Sequence, residues 1–432
     1  MSRKIFLSFL GTGLYHKCVY YKEDFESTPT PFIQQATIEL LAKQGLQPDA
    51  VRIFTTKKAK EDNWNKSITS REDRNKHEDI DYCGLESLIM DAAPDVKAID
   101  VPDGGNETEM WEIFQKVYDE IEDGDELYID LTHAFRYLPM LMLVLSNYAK
   151  FLKDVSVKSL GYGNWEARDK NTNRAPIVDL MPITQLQDWT SAISEYLKHG
   201  YPESIKQQAR NYKLWLLQSG AEITNEEKAN DMMAKAIEKY AMERLTCRGI
   251  AISNGDAAKD LYQKITNMEN DKIIANLRPL LEKIRERVVV SSDVLTNNLD
   301  AAQWCYDKGL YQQAITLLQE GFIAHVCQKY GWDIVDKDKR NLITSAFTIK
   351  TFDIPEEMWK VETEEDKDLL RVLLDDSLLN DCNLVNLFGD ISNTIRNDFN
   401  HAGFRQNPLL PQTIKKKIGR DLVAFREKLL GE

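Results

Sequence analysis

The residues best suited to chemistry stand close to the end of this 432-residue chain, where Arg396, Asn397 and His401 follow an apolar helical pattern. An imidazole can move protons near neutral pH, and a guanidinium can stabilise the charge that builds on phosphorus. Together they suit metal-free cleavage of RNA, in which a 2′-hydroxyl attacks its own phosphate. Asn397 would orient the phosphate or His401.

The spacing of these residues decides how they could act. On a regular helix Arg396 and His401 point about 140° apart, whereas Asn397 shares the face of His401. We therefore expect a catalytic cleft only where two copies of the chain meet across a two-fold axis. The spacing alone is weakly specific, because Arg71 and His77 also satisfy R-x4–6-H, and a histidine at a helix end beside a surface arginine is an ordinary arrangement. The position at the end of an apolar helix, in a helical region, favours the catalytic interpretation.

A second group of polar residues lies between a predicted strand and a predicted helix. Asp130, Thr132, His133 and Arg136 follow a short apolar run, and the apolar stretch 137–152 after them is long enough for a helix. In an open parallel sheet, ligands bind at this edge, because helix N-termini there offer unpaired N–H groups. Asp130 or Thr132 would cap the helix, while His133 and Arg136 would project donors over the crevice. The alternative, an N-cap beside surface charges, is common for such residues.

Two more predicted strands end in loops that contain glycine. The first strand runs into Gly11-Thr12-Gly13, and the fifth into a loop that holds Tyr162 and Gly163. Glycines let a backbone approach a phosphate or a base closely. Three such strand ends at one edge of a sheet favour a ligand pocket. The third glycine of a dinucleotide fingerprint and the G-x-x-x-x-G-K-[ST] motif are both missing, so neither NAD nor a nucleoside triphosphate is expected.

Two long connections separate the first predicted strands and helices. The segment between Gly13 and Pro31 is polar and aromatic, with Tyr15 near its start, and its length is typical of a binding loop or a lid. The segment 57–80 is rich in charge, and we interpret it as a solvated excursion that could touch a partner.

Short apolar runs alternate with helical patterns up to about residue 182, which predicts an α/β Rossmann-like domain with a mostly parallel sheet. The predicted strands are Lys4–Leu10, Val51–Thr55, Val96–Val101, Leu127–Leu131, Val155–Leu160 and Pro176–Leu180. Amphipathic helices then predict an all-α C-terminal region. We expect a ligand-sensing domain at 1–183, a helical linker domain at 184–290 and a second helical domain at 291–432.

Helix boundaries are marked by capping residues. Thr30 is the expected N-cap of the first helix, with Pro31 at its first position. Asn106 and Glu109 form a box-like start for a later helix. A polar connection is expected between Tyr330 and Glu364, and Gly403 is the expected stop of the helix that carries Arg396.

Composition restricts the class of protein. The chain is 43% hydrophobic and 29% charged, which is typical of a globular protein, and its formal charge of −14 argues against a broad nucleic-acid-coating surface. Six scattered cysteines predict reduced thiols and neither a disulfide framework nor a zinc site. The N-terminus leads straight into a strand and no apolar run spans a bilayer, so we expect a cytoplasmic protein without a membrane partner.

The combination of both motifs resembles the CARF–HEPN proteins, the ancillary ribonucleases of type III CRISPR systems. Residues 130–136 match the family's D-x-T-H-G-F-R-type motif except for Ala134, where glycine is usual, and Arg396–His401 match its R-x4-H motif. The resemblance covers both ends of the chain, and the middle helices match only in general character. Alanine is the nearest small residue to glycine, so a slightly altered pocket that still binds is expected.

The resemblance implies a CARF-like domain that dimerises and binds a cyclic oligoadenylate. Cyclic tetra-adenylate is the first candidate for this activator. The residues that would contact this activator are Gly11, Thr12, Gly13, Thr132, His133, Arg136, Tyr162 and Gly163. The bound activator would switch on a HEPN-like ribonuclease that cuts single-stranded RNA through Arg396, Asn397 and His401, in a homodimer or a higher multiple of dimers, with no metal and no cofactor. Some relatives slowly cut their own activator, and nothing in this sequence requires that.

Two other hypotheses remain open at this point. The chain could be a nucleotide-sensing CARF regulator without nuclease activity, whose helices bind DNA or a protein. An ordinary small-molecule Rossmann enzyme is disfavoured, because no cofactor fingerprint is present.

Overall fold

The computed structural model describes residues 2–65, 83–133, 137–218, 225–267, 277–361 and 363–431. It divides the chain into two compact units, Met1–Gln185 and Leu186–Glu432. None of the helices in these described ranges is both long and apolar enough to cross a membrane. All six cysteines are free thiols.

The first unit is organised around one sheet. Its strands are β1 (Lys4–Leu10), β2 (Val19–Lys22), β3 (Phe25–Glu26), β4 (Ala50–Thr55), β5 (Asp95–Asp100), β6 (Glu126–Asp130), β7 (Ser156–Gly163) and β8 (Arg174–Asp179). The order across the sheet is β3-β2-β8-β7-β6-β1-β4-β5. β1 pairs in parallel with β4 and β6, and antiparallel pairs join β7 to β8 and β2 to β3. The six predicted strands are confirmed, with ends shifted by at most three residues.

The segment after Gly13 is not the open loop that its length predicted. It contributes β2 and β3, and β2 pairs in parallel with β8, so that much of the segment extends the sheet. Tyr20 is buried in this extension. The sequence analysis missed these strands because they are short and interrupted by polar residues. The part before β2, residues 11–17, lies outside regular elements, as do the turn at 23–24 and the stretch 27–32 that leads into α1.

Helices cover the sheet on both sides. They are α1 (Ile33–Lys43), α2 (Lys57–Ala59), α3 (Leu85–Ile89), α4 (Glu107–Asp119) and α5 (Leu138–Lys153). Successive β1 side chains point to opposite faces, as the pleat requires. Leu7 packs in the core beneath α4 and α5, whereas Phe6 packs in the core beneath α1 and α3. The buried strand pattern therefore follows from two apolar layers, one on each face.

The helix caps agree with the sequence in part. Asn106 caps α4 and accepts a hydrogen bond from the Glu109 N–H at 3.0 Å, as predicted. Pro31 is not the first residue of α1, which begins at Ile33, and the Thr30 hydroxyl accepts an N–H from Phe32 just before the helix. Because Phe32 is extended and forms the N-cap of α1, the predicted start was two residues early.

The second unit is helical throughout the parts that the structure describes. Its helices are α6 (Met181–His199), which contains the boundary between the units, α7 (Glu203–Gln218), α8 (Asn225–Leu245), α9 (Gly249–Asn254), α10 (Asp256–Asn267), α11 (Arg278–Arg285), α12 (Val294–Asp307), α13 (Tyr311–Lys329), α14 (Lys337–Phe352), α15 (Glu364–Leu374), α16 (Ser377–Asn380), α17 (Cys382–Gly389), α18 (Arg396–Asn400) and α19 (Pro411–Leu430). The expected polar connection after Tyr330 instead contains α14. Its apolar residues, such as Phe347, are buried, so the polar residues between them form only the outer face of a helix.

One apolar core joins the two helical domains that the sequence predicted separately. Tyr240 and Trp304, which come from either side of residue 290, belong to the same buried cluster. The buried guanidinium of Arg244 also pairs with Asp300 at 3.1 Å. The structure therefore shows one compact helical unit over the range expected to hold two domains.

Candidate ligand site and candidate nuclease site

Three strand ends meet at one edge of the sheet in the first unit. β7, β6 and β1 are consecutive neighbours and run parallel, so their carboxyl ends lie side by side. The Gly163 N–H donates to the Thr132 hydroxyl at 2.7 Å, which joins the loop after β6 to the end of β7. The chain leaves β1 towards α1 and leaves β6 towards α5, on opposite faces. Such a topological switch point is where open α/β sheets bind ligands.

A buried carboxylate fixes the centre of this edge. Asp130 is 2% exposed and accepts the Ser8 hydroxyl at 2.6 Å. The Thr132 hydroxyl donates to its other oxygen at 2.5 Å, and the Thr132 N–H donates to the same oxygen. Burial raises the pKa of Asp130, and the three hydrogen bonds oppose that rise. Neither Asp130 nor Thr132 caps α5, as one of them was predicted to, because α5 starts only at Leu138 and has no side-chain cap.

The glycine loop after β1 is held from below by a residue that the sequence analysis did not single out. Asn63 is fully buried, and its side-chain amide donates to the carbonyls of Gly11 at 2.7 Å and Gly13 at 2.9 Å. Asn63 lies in a π-helical turn, Lys60–Trp64, that follows α2. The start of the charged connection is therefore packed against the site and is not a solvated excursion. Residues 66–82, which include Arg71 and His77, lie outside the described residues.

A tyrosine fills the crevice between the glycine loop and His133. The Tyr15 ring stacks on the imidazole of His133 with 4.1 Å between ring centroids and 27° between planes. The Gly11 N–H donates to the Tyr15 hydroxyl at 3.1 Å. A Cβ at Gly11 would lie 2.8 Å from that hydroxyl, so this close approach explains the glycine.

His133 is neutral in this position. Burial lowers the pKa of its imidazole to about 4. Its Nε2 atom is buried without a hydrogen-bond partner. An unpartnered buried nitrogen is unfavourable by itself, so a ligand that supplies a partner would stabilise it. The predicted role of His133 as a donor over the crevice is therefore available to a neutral imidazole, but not as a standing positive charge at pH 7.

The remaining predicted ligand residues differ in position. A Cβ at Gly163 would lie 2.7 Å from the Ile33 side chain, so packing alone explains this glycine. The adjacent Tyr162 is 39% exposed and Thr12 is half-buried. Arg136 lies outside the described residues. Contact of these residues with an activator stays a prediction.

The candidate nuclease residues lie at the end of one long helical segment in the second unit. The Arg396 guanidinium is held against α13, where it donates to Gln319 at 3.2 Å and pairs with Glu320 at 3.0 Å. Glu320 also pairs with Arg340, so two guanidiniums share one carboxylate and the cluster keeps a net positive charge. Asn397 and His401 are exposed instead. Arg396 thus points towards α13 while His401 points to solvent, and this difference in direction was predicted from the helical geometry.

The helix that carries these residues is irregular on both sides of Arg396. A π-helical segment, Asp390–Ile395, connects α17 to α18. At the other end Ala402 has a φ of +49°, the Gly403 N–H donates to the Asp398 carbonyl, and the Ala402 N–H donates to the Phe399 carbonyl. These two bonds form a Schellman motif with Ala402 in the left-handed position. The helix therefore stops before Gly403, which was predicted as the stop, and His401 is its C-cap.

Among the described residues, no group of three or more His, Cys, Asp or Glu side chains is placed to hold a metal ion.

Comparisons with known proteins find a family model that matches most of the first unit. Residues 5–166 match the family model described as the CARF domain of the CRISPR system endoribonuclease Csx1. The CRISPR-associated protein MJ1674 of Methanocaldococcus jannaschii is 23% identical over 281 residues, which is 62% of this chain and 40% of the relative. The alignment therefore spans well under two thirds of that curated relative. A solved structure of Enterococcus italicus Csm6 bound to cyclic hexa-2′-fluoro-hexa-dAMP aligns with 100% of this chain and 94% of its own, at 12% identity and a TM-score of 0.42.

The family-model match covers most of the first unit and assigns residues 5–166 to the class of CARF domains. A domain that matches the CARF model, followed by a helical region, is the architecture of the CARF–HEPN proteins that the motifs of this chain resemble. The recognition is confirmed for the first unit by the match over residues 5–166, and the predicted fold class is confirmed by an α/β unit followed by a helical one.

Proposed function

We propose that this chain is a cytoplasmic endoribonuclease of type III CRISPR antiviral defence, which a cyclic oligoadenylate activates to cut single-stranded RNA without a metal ion. The observation that carries the proposal is the presence in one chain of a CARF domain and of an exposed histidine beside a guanidinium at a helix end. One would bind the activator and the other would cleave.

The crevice of the first unit suits a nucleotide ring. Its floor is the glycine loop after β1, and its side is the loop of His133. Backbone N–H groups and an imidazole nitrogen pair with phosphate or base atoms, and Arg136 would add a positive charge. Ligands of this kind need only a local site, which is compatible with a chain of net charge −14.

The helix end of the second unit suits phosphate chemistry. The cluster of Arg396, Arg340 and Glu320 has two positive charges and one negative charge, and it holds the Arg396 side chain in place. That net charge would stabilise a phosphorane-like transition state. The exposed His401 would move protons to or from the RNA oxygens, and Asn397 would orient the phosphate.

Exposed apolar residues support a homodimer or a multiple of dimers. Along α5, Met140, Val144, Tyr148 and Phe151 are 66%, 59%, 46% and 87% exposed, at helical spacing on one face. Phe404, close to His401, is 91% exposed. Large exposed apolar patches mark association surfaces. A two-fold pair of chains would bring two copies of Arg396 and His401 into one cleft.

The test is a cleavage assay on labelled single-stranded RNA with purified full chain. We expect cleavage only with cyclic tetra-adenylate or cyclic hexa-adenylate, cleavage that continues in EDTA, and no cleavage by His401→Ala. His199→Ala is the matched control, because His199 is also exposed at a helix end. Unchanged cleavage by His401→Ala would refute the assignment. Activator binding without cleavage, together with capture of DNA or a protein partner, would favour the alternative of a CARF regulator without nuclease activity.

A further inference from the structure

Tyr15 contacts two groups of the crevice that a ligand could bind, the Gly11 N–H and the face of the His133 imidazole. Its hydroxyl accepts the Gly11 N–H at 3.1 Å, and its ring covers the face of His133 at 4.1 Å between centroids. The ring edge also lies beneath Gly13, where a Cβ would be 3.4 Å from Tyr15 Cε1. A ligand that used the same amide and the same imidazole face would meet the tyrosine first.

The glycine loop and the Tyr15 side chain differ in the contacts that hold them in place. Asn63 pins the Gly11 and Gly13 carbonyls through two hydrogen bonds from a fully buried position. Tyr15 itself lies in the stretch 11–17, which belongs to no helix or strand, and its ring packs edge-on to buried Phe32 with 5.8 Å between centroids. Displacing the Tyr15 side chain therefore breaks no ladder of backbone hydrogen bonds, whereas moving the glycine loop would break both hydrogen bonds that the buried Asn63 amide donates to it.

We propose that Tyr15 occupies the place of one nucleotide of the activator, and that a cyclic oligoadenylate binds by displacing this side chain. The inference rests on the proposed function, and it adds a residue that sets affinity from within the site. A nucleotide carries the same two features as the phenol: a flat aromatic ring, and an oxygen that accepts a hydrogen bond. Adenine would stack on His133 where the phenol ring now stacks, and a phosphate oxygen would accept the Gly11 N–H.

When a side chain of the protein competes for the site, the apparent affinity for the ligand equals the intrinsic affinity multiplied by the fraction of time for which the site is free. Removing the Tyr15 hydroxyl would free the Gly11 N–H for the ligand. Removing the whole side chain would also free the imidazole face. If Tyr15 were instead a residue that stacks on the bound ligand, both changes would weaken binding, so the direction of the effect separates the two roles.

The experiment is titration of the full chain with cyclic tetra-adenylate and cyclic hexa-adenylate by calorimetry. We expect binding to be roughly threefold to tenfold tighter in Tyr15→Phe, from one hydrogen bond, and roughly tenfold to 100-fold tighter in Tyr15→Ala, from that bond plus an aromatic stack. Tyr21→Phe, in β2 of the same unit, is the control and should bind as the wild type does. Should Tyr15→Ala fold poorly, Tyr15→Phe still decides the question, because it keeps the ring.

Each outcome has a distinct meaning. Unchanged or weaker binding in Tyr15→Phe, when the wild type binds, overturns the displacement and leaves the proposed function standing. Binding that appears only when Tyr15 is changed supports displacement by a strong competitor. Failure of every variant and of the wild type to bind either ring overturns the proposed function, and the displacement with it.

Discussion

Changing Asn63 to alanine tests whether the glycine loop is held from beneath. The substitution removes two hydrogen bonds, at 2.7 and 2.9 Å, and leaves the Gly11 and Gly13 carbonyls without that partner in a partly buried site. Each bond contributes about 0.5–1.5 kcal/mol, so we expect a loss of about 1–3 kcal/mol. Because the loop forms part of the candidate ligand site, activator binding should weaken as well.

Urea unfolding of the full chain, with hydrogen exchange followed in peptides that cover residues 5–15, measures both the size and the place of the effect. Asn171→Ala is the matched control, since this asparagine is exposed in the turn before β8. Exchange should increase in the loop after β1 in the Asn63 variant and stay unchanged in the control. A loss below about 0.5 kcal/mol, which is the smallest contribution expected of one such bond, would refute the reasoning.

Three further predictions follow from single residues. Arg396→Ala should lower the activated cleavage rate by roughly 10²–10³ with little effect on the unfolding midpoint, because Glu320 keeps Arg340 as its partner; an unchanged rate would remove Arg396 from the mechanism. Ala402→Gly should stabilise the chain by about 1 kcal/mol in urea unfolding, because alanine is strained at a φ of +49°, and a loss of stability would contradict the Schellman assignment. His133 should titrate by NMR with a pKa of about 4, below the roughly 6.5 of an unfolded histidine. Because the unfolded chain takes up the proton first, the free energy of unfolding should fall as the pH drops from about 6.5 to about 4. His133→Asn should reduce that loss.

The parts of the ligand site that could be predicted from sequence are those set by local pattern. The residues that follow parallel strands lie at the same edge of the sheet. The sequence therefore predicts that Gly11 and Thr132 lie at the same crevice. The sheet order confirms this arrangement, because the strands that precede them are neighbours. The role of Thr132 could not be read in the same way. Its hydroxyl serves Asp130 and Gly163, and both contacts depend on how two loops pack together.

The residues missed at both sites act across long sequence separations. Asn63 reaches the glycine loop from fifty residues away, and Gln319 and Glu320 hold Arg396 from α13. No motif marks such partners, because an amide or a carboxylate on a helix looks like any surface residue until the helices pack. Tyr15 left a faint signal as an aromatic residue two positions after the second glycine. Its stacking on His133 was beyond sequence reasoning.

The π-helical segment before Arg396 fixes the direction in which the candidate nuclease residues point. Its first residue, Asp390, forms ion pairs with Lys417 and Arg420, which fix the start of the segment. A regular α-helix through the same residues would rotate everything after them by roughly 100°, because a π-helical turn takes up one residue more than an α-helical turn. Arg396 would then leave Glu320, and His401 would point along a different direction. The extra residue in this turn therefore determines the direction in which the proposed nuclease residues point.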